Sequence, residues 1–122
     1  MEDDRYASIK RVINLTPHEV RVYVGSSVIK VPPSGKVARL KTTSKPHGTV
    51  HEMPVVLSGD GGVVNVPEPQ EGIVYIASSV VAKSLKREDV LSPDTTDDGV
   101  LRDGVGKVFA VKRLQCFSET GE

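Results

Sequence analysis

Five side chains of the sequence have the chemistry to hold a small anion. Ser78 and Ser79 precede a short helical pattern, where a serine hydroxyl can cap the free backbone amides. Arg87 and Arg113 supply guanidinium groups, which bind phosphates through paired hydrogen bonds, and Asp89 can orient an arginine or a ribose hydroxyl. We therefore predict a ligand-binding site of Ser78, Ser79, Arg87, Asp89 and Arg113 that holds an anion without transforming it.

A second interpretation of the same charges stays open. Arg87 is followed directly by Glu88 and Asp89, and such neighbours also form local ion-pair networks on protein surfaces. A cleft bordered by Arg87, Asp89 and Arg113 would favour ligand binding, whereas a flat apolar surface would favour a protein partner.

No catalytic motif accompanies these residues. A serine, histidine and aspartate set can be assembled only from Ser78 or Ser79 with His18 and Asp89, and neither serine is flanked by a recognisable activator. We expect no catalytic residue, no cofactor and no enzymatic activity.

Metal-binding patterns are incomplete. Residues 94–99 begin like a calcium loop, but the twelfth place is Val105, where a bidentate glutamate is required. A closed structural zinc site needs four nitrogen or sulfur ligands. The chain has three histidines and a single thiol, Cys116, so all four would have to meet at one place. We expect no metal site, an aspartate-rich turn at 94–99, and a Cys116 that packs as a small hydrophobic residue.

Charge and composition restrict the partners. Sixteen basic residues balance sixteen acidic ones, which removes the broad attraction that non-specific nucleic-acid binding needs. Two phenylalanines, three tyrosines and no tryptophan leave few platforms for exposed bases. No apolar run approaches the roughly 20 residues that cross a bilayer, and the acidic amino terminus lacks the order of a secretory signal. We expect no nucleic-acid or membrane partner and a cytoplasmic location in a host cell.

Period-two patterning and turn residues predict strands over most of the chain. A hairpin should turn at Gly25 and Ser26, and a second should turn at residues 103–106. Pro54 marks an edge or bulged strand within residues 49–57, and the glycines of residues 58–62 predict a turn. Residues 73–77 read as a strand that is buried on both faces.

The pattern changes after this strand, where a short helix is predicted within residues 79–85 and Pro93 stops any further helix. The predicted fold is mainly β with one short helix, in which antiparallel hairpins form a small sheet sandwich or open barrel. A single domain should span residues 1–122, with flexible tails at 1–8 and 118–122. The expected core contains five residues in apolar runs: Val22, Ile73, Tyr75, Val81 and Val108.

Four motifs, in this order, resemble a family of small proteins that is widespread in bacteriophages and prophages. They are Asn-Leu-Thr-Pro-His-Glu-Val at 14–20, Val-Pro-Pro-Ser-Gly-Lys-Val-Ala-Arg at 31–39, Pro-Glu-Pro-Gln-Glu-Gly-Ile-Val-Tyr-Ile at 67–76, and Arg-Glu-Asp-Val at 87–90 with Pro-Asp-Thr at 93–95. The chain more loosely resembles the Thoeris anti-defence proteins of type one, which sequester nucleotide-derived immune signals between subunits.

These resemblances imply a phage or prophage accessory protein that binds a small anionic ligand, in its most concrete form a nucleotide-derived immune signal, and that forms a homo-oligomer. The alternative is a structural or protein-interaction module of a phage, either virion-associated or directed at a host protein, with no small-molecule pocket. The presence of a cleft would favour the first alternative, and its absence would favour the second.

Overall fold

The computed structural model describes residues 5–118, and strands dominate it, which confirms the mainly β prediction. In chain order the elements are β1 Arg11–Asn14, β2 Val20–Val24, β3 Ser27–Val31, β4 Arg39–Val50, β5 Met53–Val64, β6 Ile73–Ile76, α1 Ser79–Leu85, β7 Val90–Pro93, β8 Val100–Arg102, β9 Val108–Val111 and β10 Leu114–Cys116. They form three small sheets, with no closed barrel among the described residues.

The first sheet has the strand order β1-β6-β7-β10 and is mostly parallel. β1 and β7 both run parallel to β6, and α1 makes the crossover between β6 and β7. A crossover of this kind is how two parallel strands are joined, because no tight turn can link them. The prediction of antiparallel hairpins missed this arrangement. β10 closes the sheet by pairing antiparallel with β7, so the chain does not end in a simple hairpin.

The second sheet has the order β3-β2-β9-β8 and contains the two predicted hairpins. β2 and β3 join through Gly25 and Ser26, and Gly25 has a positive φ of 62°, which glycine adopts without steric cost. β8 and β9 join through residues 103–106, as expected. One parallel pairing, Val22 with Val111, connects the two hairpins.

β4 and β5 form a long two-stranded hairpin of their own, which we call the arm (Arg39–Val64). The arm turns at His51 and Glu52, so the predicted turn at 58–62 is wrong and those residues continue β5. Gly59 lies opposite Thr43, and a Cβ at 59 would come 2.8 Å from the Thr43 hydroxyl oxygen. Glycine here makes room for a cross-strand neighbour instead of reversing the chain.

The main core lies between the first sheet and α1. Tyr75 and Val90 are neighbours in the sheet, both fully buried, and they pack with Val81 and Ala82 of the helix. β6 is buried on both faces as predicted, since Val74, Tyr75 and Ile76 are at most 4% exposed. Val80, on the outer side of the helix, is 54% exposed.

The predicted core list is only partly right. Tyr75 and Val81 are buried, while Val22 and Ile73 are half-buried. Val108 is 46% exposed, so its assignment to the core is wrong. An apolar strand such as β9 can leave one of its faces uncovered. The spacing of apolar residues in the sequence does not show which face of the strand other elements cover.

The predicted tails fall partly outside the described residues, which exclude 1–4 and 119–122. Within the amino-terminal segment, Arg5 forms a 3.3 Å ion pair with the Glu88 carboxylate, and the Tyr6 hydroxyl donates a 2.9 Å hydrogen bond to the Glu88 carbonyl. Residues 5 and 6 are therefore anchored beside β7. In the described part of the chain, no helix has the length and apolar character needed to span a bilayer.

Candidate functional site

The loop between β1 and β2 is organised by Asn14, which is 1% exposed. Its amide nitrogen donates to the carbonyls of His18 and Val31, at 2.8 and 2.9 Å. Its side-chain oxygen accepts from both the backbone amide and the hydroxyl of Thr16. All donors and acceptors of a buried amide are used here, so the loop has one defined conformation.

This loop forms one wall of an open cleft of about 580 Å³. The other walls are β2, β9, the start of α1 and the end of β7. The side chains with chemistry to offer are hydroxyls, an imidazole, a carboxylate, a guanidinium and one aromatic ring: Thr16, Ser78, Ser79, Thr95, His18, Glu19, Arg21 and Phe109.

Ser78 and Ser79 lie in this cleft as residues of the helix start. Ser78 is the N-cap, and its hydroxyl accepts a 3.3 Å hydrogen bond from the Val81 amide. The capping role predicted for the serine pair is confirmed for Ser78. Because α1 has seven residues, its dipole adds little to anion binding, and the side chains of the cleft have to supply the attraction.

Arg87 and Asp89 lie at the opposite end of the parallel strands. They precede β7, whereas Ser78 and Ser79 follow β6, and β6 and β7 run side by side in the same direction. Asp89 accepts two hydrogen bonds from Arg87, at 2.9 and 2.7 Å, and the Pro67 carbonyl accepts a third at 3.1 Å. The structure therefore does not bring this pair to the serines.

The contact with Asp89 raises the pKa of Arg87, which keeps the guanidinium charged. Both side chains are only about a fifth exposed, at 23% and 21%. This is the local ion pair of the alternative interpretation, although it involves Asp89 alone, because Glu88 pairs with Arg5. The guanidinium ties Pro67, in the segment between β5 and β6, to the entry to β7.

Arg113 lies at the carboxyl end of the first sheet, beside the strand pair Leu114 and Pro93. Its Nε donates a 2.7 Å hydrogen bond to Asp94, which is 3% exposed. The Thr96 hydroxyl and amide, and then Arg113, lower the pKa of the Asp94 carboxyl. Residues 94–99 therefore form an aspartate-anchored turn, as expected, and Arg113 does not line the cleft.

Gly99 closes this turn against Asp94. A Cβ at position 99 would overlap the Asp94 carboxyl group and its backbone carbonyl. We expect Gly99→Ala to lower the free energy of unfolding by about 1–3 kcal/mol, because overpacking forces the turn apart. Chemical denaturation measures this, with Gly104→Ala as the control, since nothing lies within 4 Å of its Cβ position. Equal losses in the two variants would contradict the packing argument.

Cys116 is exposed, so its expected packing as a small hydrophobic residue is wrong. Its sulfur lies 4.0 Å from the Glu88 carbonyl, next to Tyr6. Burial, and then the hydrogen bond with Cys116, raises the pKa of the Tyr6 phenol. Between residues 5 and 118 no three His, Cys, Asp or Glu side chains are grouped where they could hold a metal ion.

Of the residues that line the cleft, only Ser78 and Ser79 belong to the predicted site, and Arg21, Thr95 and Phe109 are among those that sequence reasoning missed. Arg21 is 45% exposed and pairs with Glu19 at 2.9 Å, and Phe109 is 44% exposed. A signal for Arg21 was available, since it follows the 14–20 motif directly. Phe109 lies on a strand that reads as apolar throughout, so nothing in the pattern separated it from the core.

No protein-family model, curated protein or solved structure is significantly similar to this chain. Its function has to be argued from the geometry of the cleft and the exposed surfaces.

Proposed function

We propose that the protein binds a small anionic ligand of the nucleotide type in the cleft, without transforming it. The observation that carries this proposal is the convergence of a guanidinium, an imidazole, four hydroxyls and an exposed aromatic ring around about 580 Å³. Binding clefts for small molecules have about 300–1,000 Å³ and combine apolar walls with a few polar groups.

The parts of such a ligand match the parts of the cleft. Phe109 is exposed, so its ring can stack on a base. Stacking of a base on an aromatic side chain contributes about 1–3 kcal/mol to binding. Arg21 can receive a phosphate, because its ion pair with Glu19 is exposed and such pairs contribute little. Ser79 and Thr95 offer hydroxyls to a ribose or phosphate, whereas the Thr16 hydroxyl already donates to Asn14.

In this proposal Ser78 and Ser79 stay in the site, and Arg21 takes the role that was predicted for Arg87 and Arg113. The resemblance to phage and prophage proteins supports a role as an accessory protein in the cytoplasm of a host cell. Sequestration of a nucleotide-derived immune signal is the form of that role which needs a cleft and no catalysis.

Calorimetry with ADP-ribose and with a cyclic nucleotide tests the proposal. We expect binding by the wild type, and we expect Arg21→Ala to weaken it by about 1.5–3 kcal/mol through loss of a charge-assisted hydrogen bond. Phe109→Ala should weaken it by about 1–3 kcal/mol through loss of stacking.

Arg39→Ala and Tyr23→Ala are the matched controls, since both residues are exposed and neither lines the cleft. If neither nucleotide binds, or if the controls weaken binding as much as the cleft variants, the proposal is wrong.

A second candidate function is a protein-interaction module, either virion-associated or directed at a host protein. The arm favours it, because four large apolar side chains near the end of the arm are 45–59% exposed: Val50, Met53, Val56 and Leu57. Contiguous exposed apolar patches on a protein surface commonly mark sites of contact with another protein.

A further inference from the structure

The arm is supported by the rest of the described chain only at its base, where Leu40 and Val63 pack against the core. Its two strands have 12 residues each and pair only with one another within the described chain. A two-stranded hairpin without a third strand or a packed face is marginally stable in water. The helix packs against the arm, but the end that carries Val50 and Met53 stays exposed.

The tip of the arm presents a small apolar knob. Val50 and Met53 are directly opposite each other in the pairing, so their side chains share one face, and they are 52% and 59% exposed. Leu57 follows on the same face after two strand periods and is 45% exposed. We call these three residues the knob.

The turn that carries the knob is strained. His51 and Glu52 have positive φ values of 47° and 69°, a conformation that hairpin turns usually give to asparagine and glycine. Such strain at non-glycine residues gathers at functional sites. The turn places Glu52 at the end of the arm, between Val50 and Met53 of the knob in the sequence.

A second surface feature is an apolar groove of about 530 Å³. It lies on the face of the first sheet that is turned away from α1. Val12, Val74 and Leu91 form its floor, and Val24 of the second sheet forms part of its wall. Val12 and Val24 are 43% and 52% exposed, whereas Val74 and Leu91 are buried at 4% and 7%, so the apolar surface open to solvent is mainly that of the two outer valines.

Two cations border the groove, Lys112 and Arg113. The Nε of Arg113 is engaged by Asp94, and the side chain remains 55% exposed. No residue of the arm lines the groove of its own copy.

We propose that the arm of one copy inserts its knob into the groove of a second copy, with Glu52 beside Lys112 and Arg113. The knob and the outer valines of the groove are both apolar and exposed, and Glu52 at the tip is opposite in charge to Lys112 and Arg113 on the rim. The contact is head-to-tail, so repetition builds a ring or an open chain. This inference develops the interaction function above and does not depend on a ligand in the cleft.

Pairing of arm edges explains the same surface less well. Pro46 and Pro54 interrupt the two strands, and register shifts follow Leu40 and Pro46. Prolines and bulges are the devices by which edge strands avoid pairing with another chain. Association through the side chains at the tip therefore explains the exposed surface better than pairing of the backbone edges.

Sedimentation velocity over a concentration series tests the proposal with the full chain. We expect the wild type to self-associate, and we expect Met53→Asp in the knob and Val24→Glu in the groove each to weaken association at least about thirty-fold, as for central contact residues. Both positions are exposed, so each variant should remain folded, which circular dichroism checks. Lys112→Glu replaces Val24→Glu if the latter unfolds.

The decisive measurement is a mixture. Met53→Asp retains an intact groove and Val24→Glu retains an intact knob, so an equimolar mixture should form a one-to-one complex although neither variant associates alone. A monomeric wild type, a mixture without complex, or a groove variant that still associates while the knob variant does not would each overturn the proposal. Val80→Asp, an equally exposed valine outside both surfaces, should leave association unchanged.

Discussion

Replacing Ile76 with alanine should lower the free energy of unfolding by about 2–5 kcal/mol, as expected for a large side chain in a packed core. Ile76 is 0% exposed and lies in β6, between β1 and β7. Removal of its side chain leaves a cavity that the neighbouring strands cannot close, because both are paired to β6. Urea denaturation monitored by circular dichroism provides the measurement.

Ile29→Ala is the matched control for this prediction. The chemical change is identical, but Ile29 is 52% exposed on β3. We expect its loss to be a small fraction of the Ile76 loss, since little apolar surface leaves water there on folding. The half-buried Ile73 should fall between the two. Equal losses at positions 29 and 76 would show that β6 is not the central strand.

Local signals in the sequence were sufficient for the hairpin turns and the helix. Gly25 with Ser26, and the residues 103–106, are short polar turns between alternating strands, and the structure has both turns. Ser78 or Ser79 was predicted as the helix cap from residue type and position before an apolar run, and the Ser78 hydroxyl accepts the hydrogen bond from the Val81 amide. These features depend on neighbouring residues, which a sequence displays directly.

Long-range pairing was not visible in the same way. The parallel alignment of β1 with β6 joins segments that are far apart in the chain, and the residues of a strand do not specify which distant strand it pairs with. Gly59 shows the related problem of one residue type with two uses. A glycine among glycines predicts a turn, yet here it accommodates Thr43 across the arm.

The candidate site was predicted in part for the same reason. The two serines and the arginines were chosen because they are close in sequence or carry complementary charge. Parallel strands then separate the two ends of the segment, since Ser78 follows β6 and Asp89 precedes β7. Arg21 enters the cleft because β2 and β9 belong to one sheet, a relation that no local pattern contains.

Two surfaces with separate chemistry follow from this arrangement. The cleft is bordered by β2 and β9 of the second sheet together with the start of α1, whereas the groove has its floor on the first sheet. Variants of the cleft can therefore be examined for nucleotide binding while self-association is kept as an independent property. Failure of one proposal does not remove the other.

Asn14→Asp should be as costly as the core substitution, about 2–6 kcal/mol near neutral pH, although it changes only an amide to a carboxylate. The two carbonyls that accept from the Asn14 amide, those of His18 and Val31, would instead face a buried negative charge without donors. Each buried group left unsatisfied costs about 1–3 kcal/mol, and more when it is charged.

The loss of stability in Asn14→Asp should depend on pH. Burial beside two carbonyls raises the pKa of the introduced carboxyl above its unfolded value, so the penalty grows as pH rises and shrinks in acid, where the protonated group can donate one hydrogen bond. Denaturation of Asn14→Asp and wild type at several pH values measures it. Asn65→Asp is the control, because Asn65 is exposed and donates to the Val37 carbonyl alone. A gap between Asn14→Asp and wild type that stays constant with pH would contradict the proposed role of Asn14 in fixing the wall of the cleft.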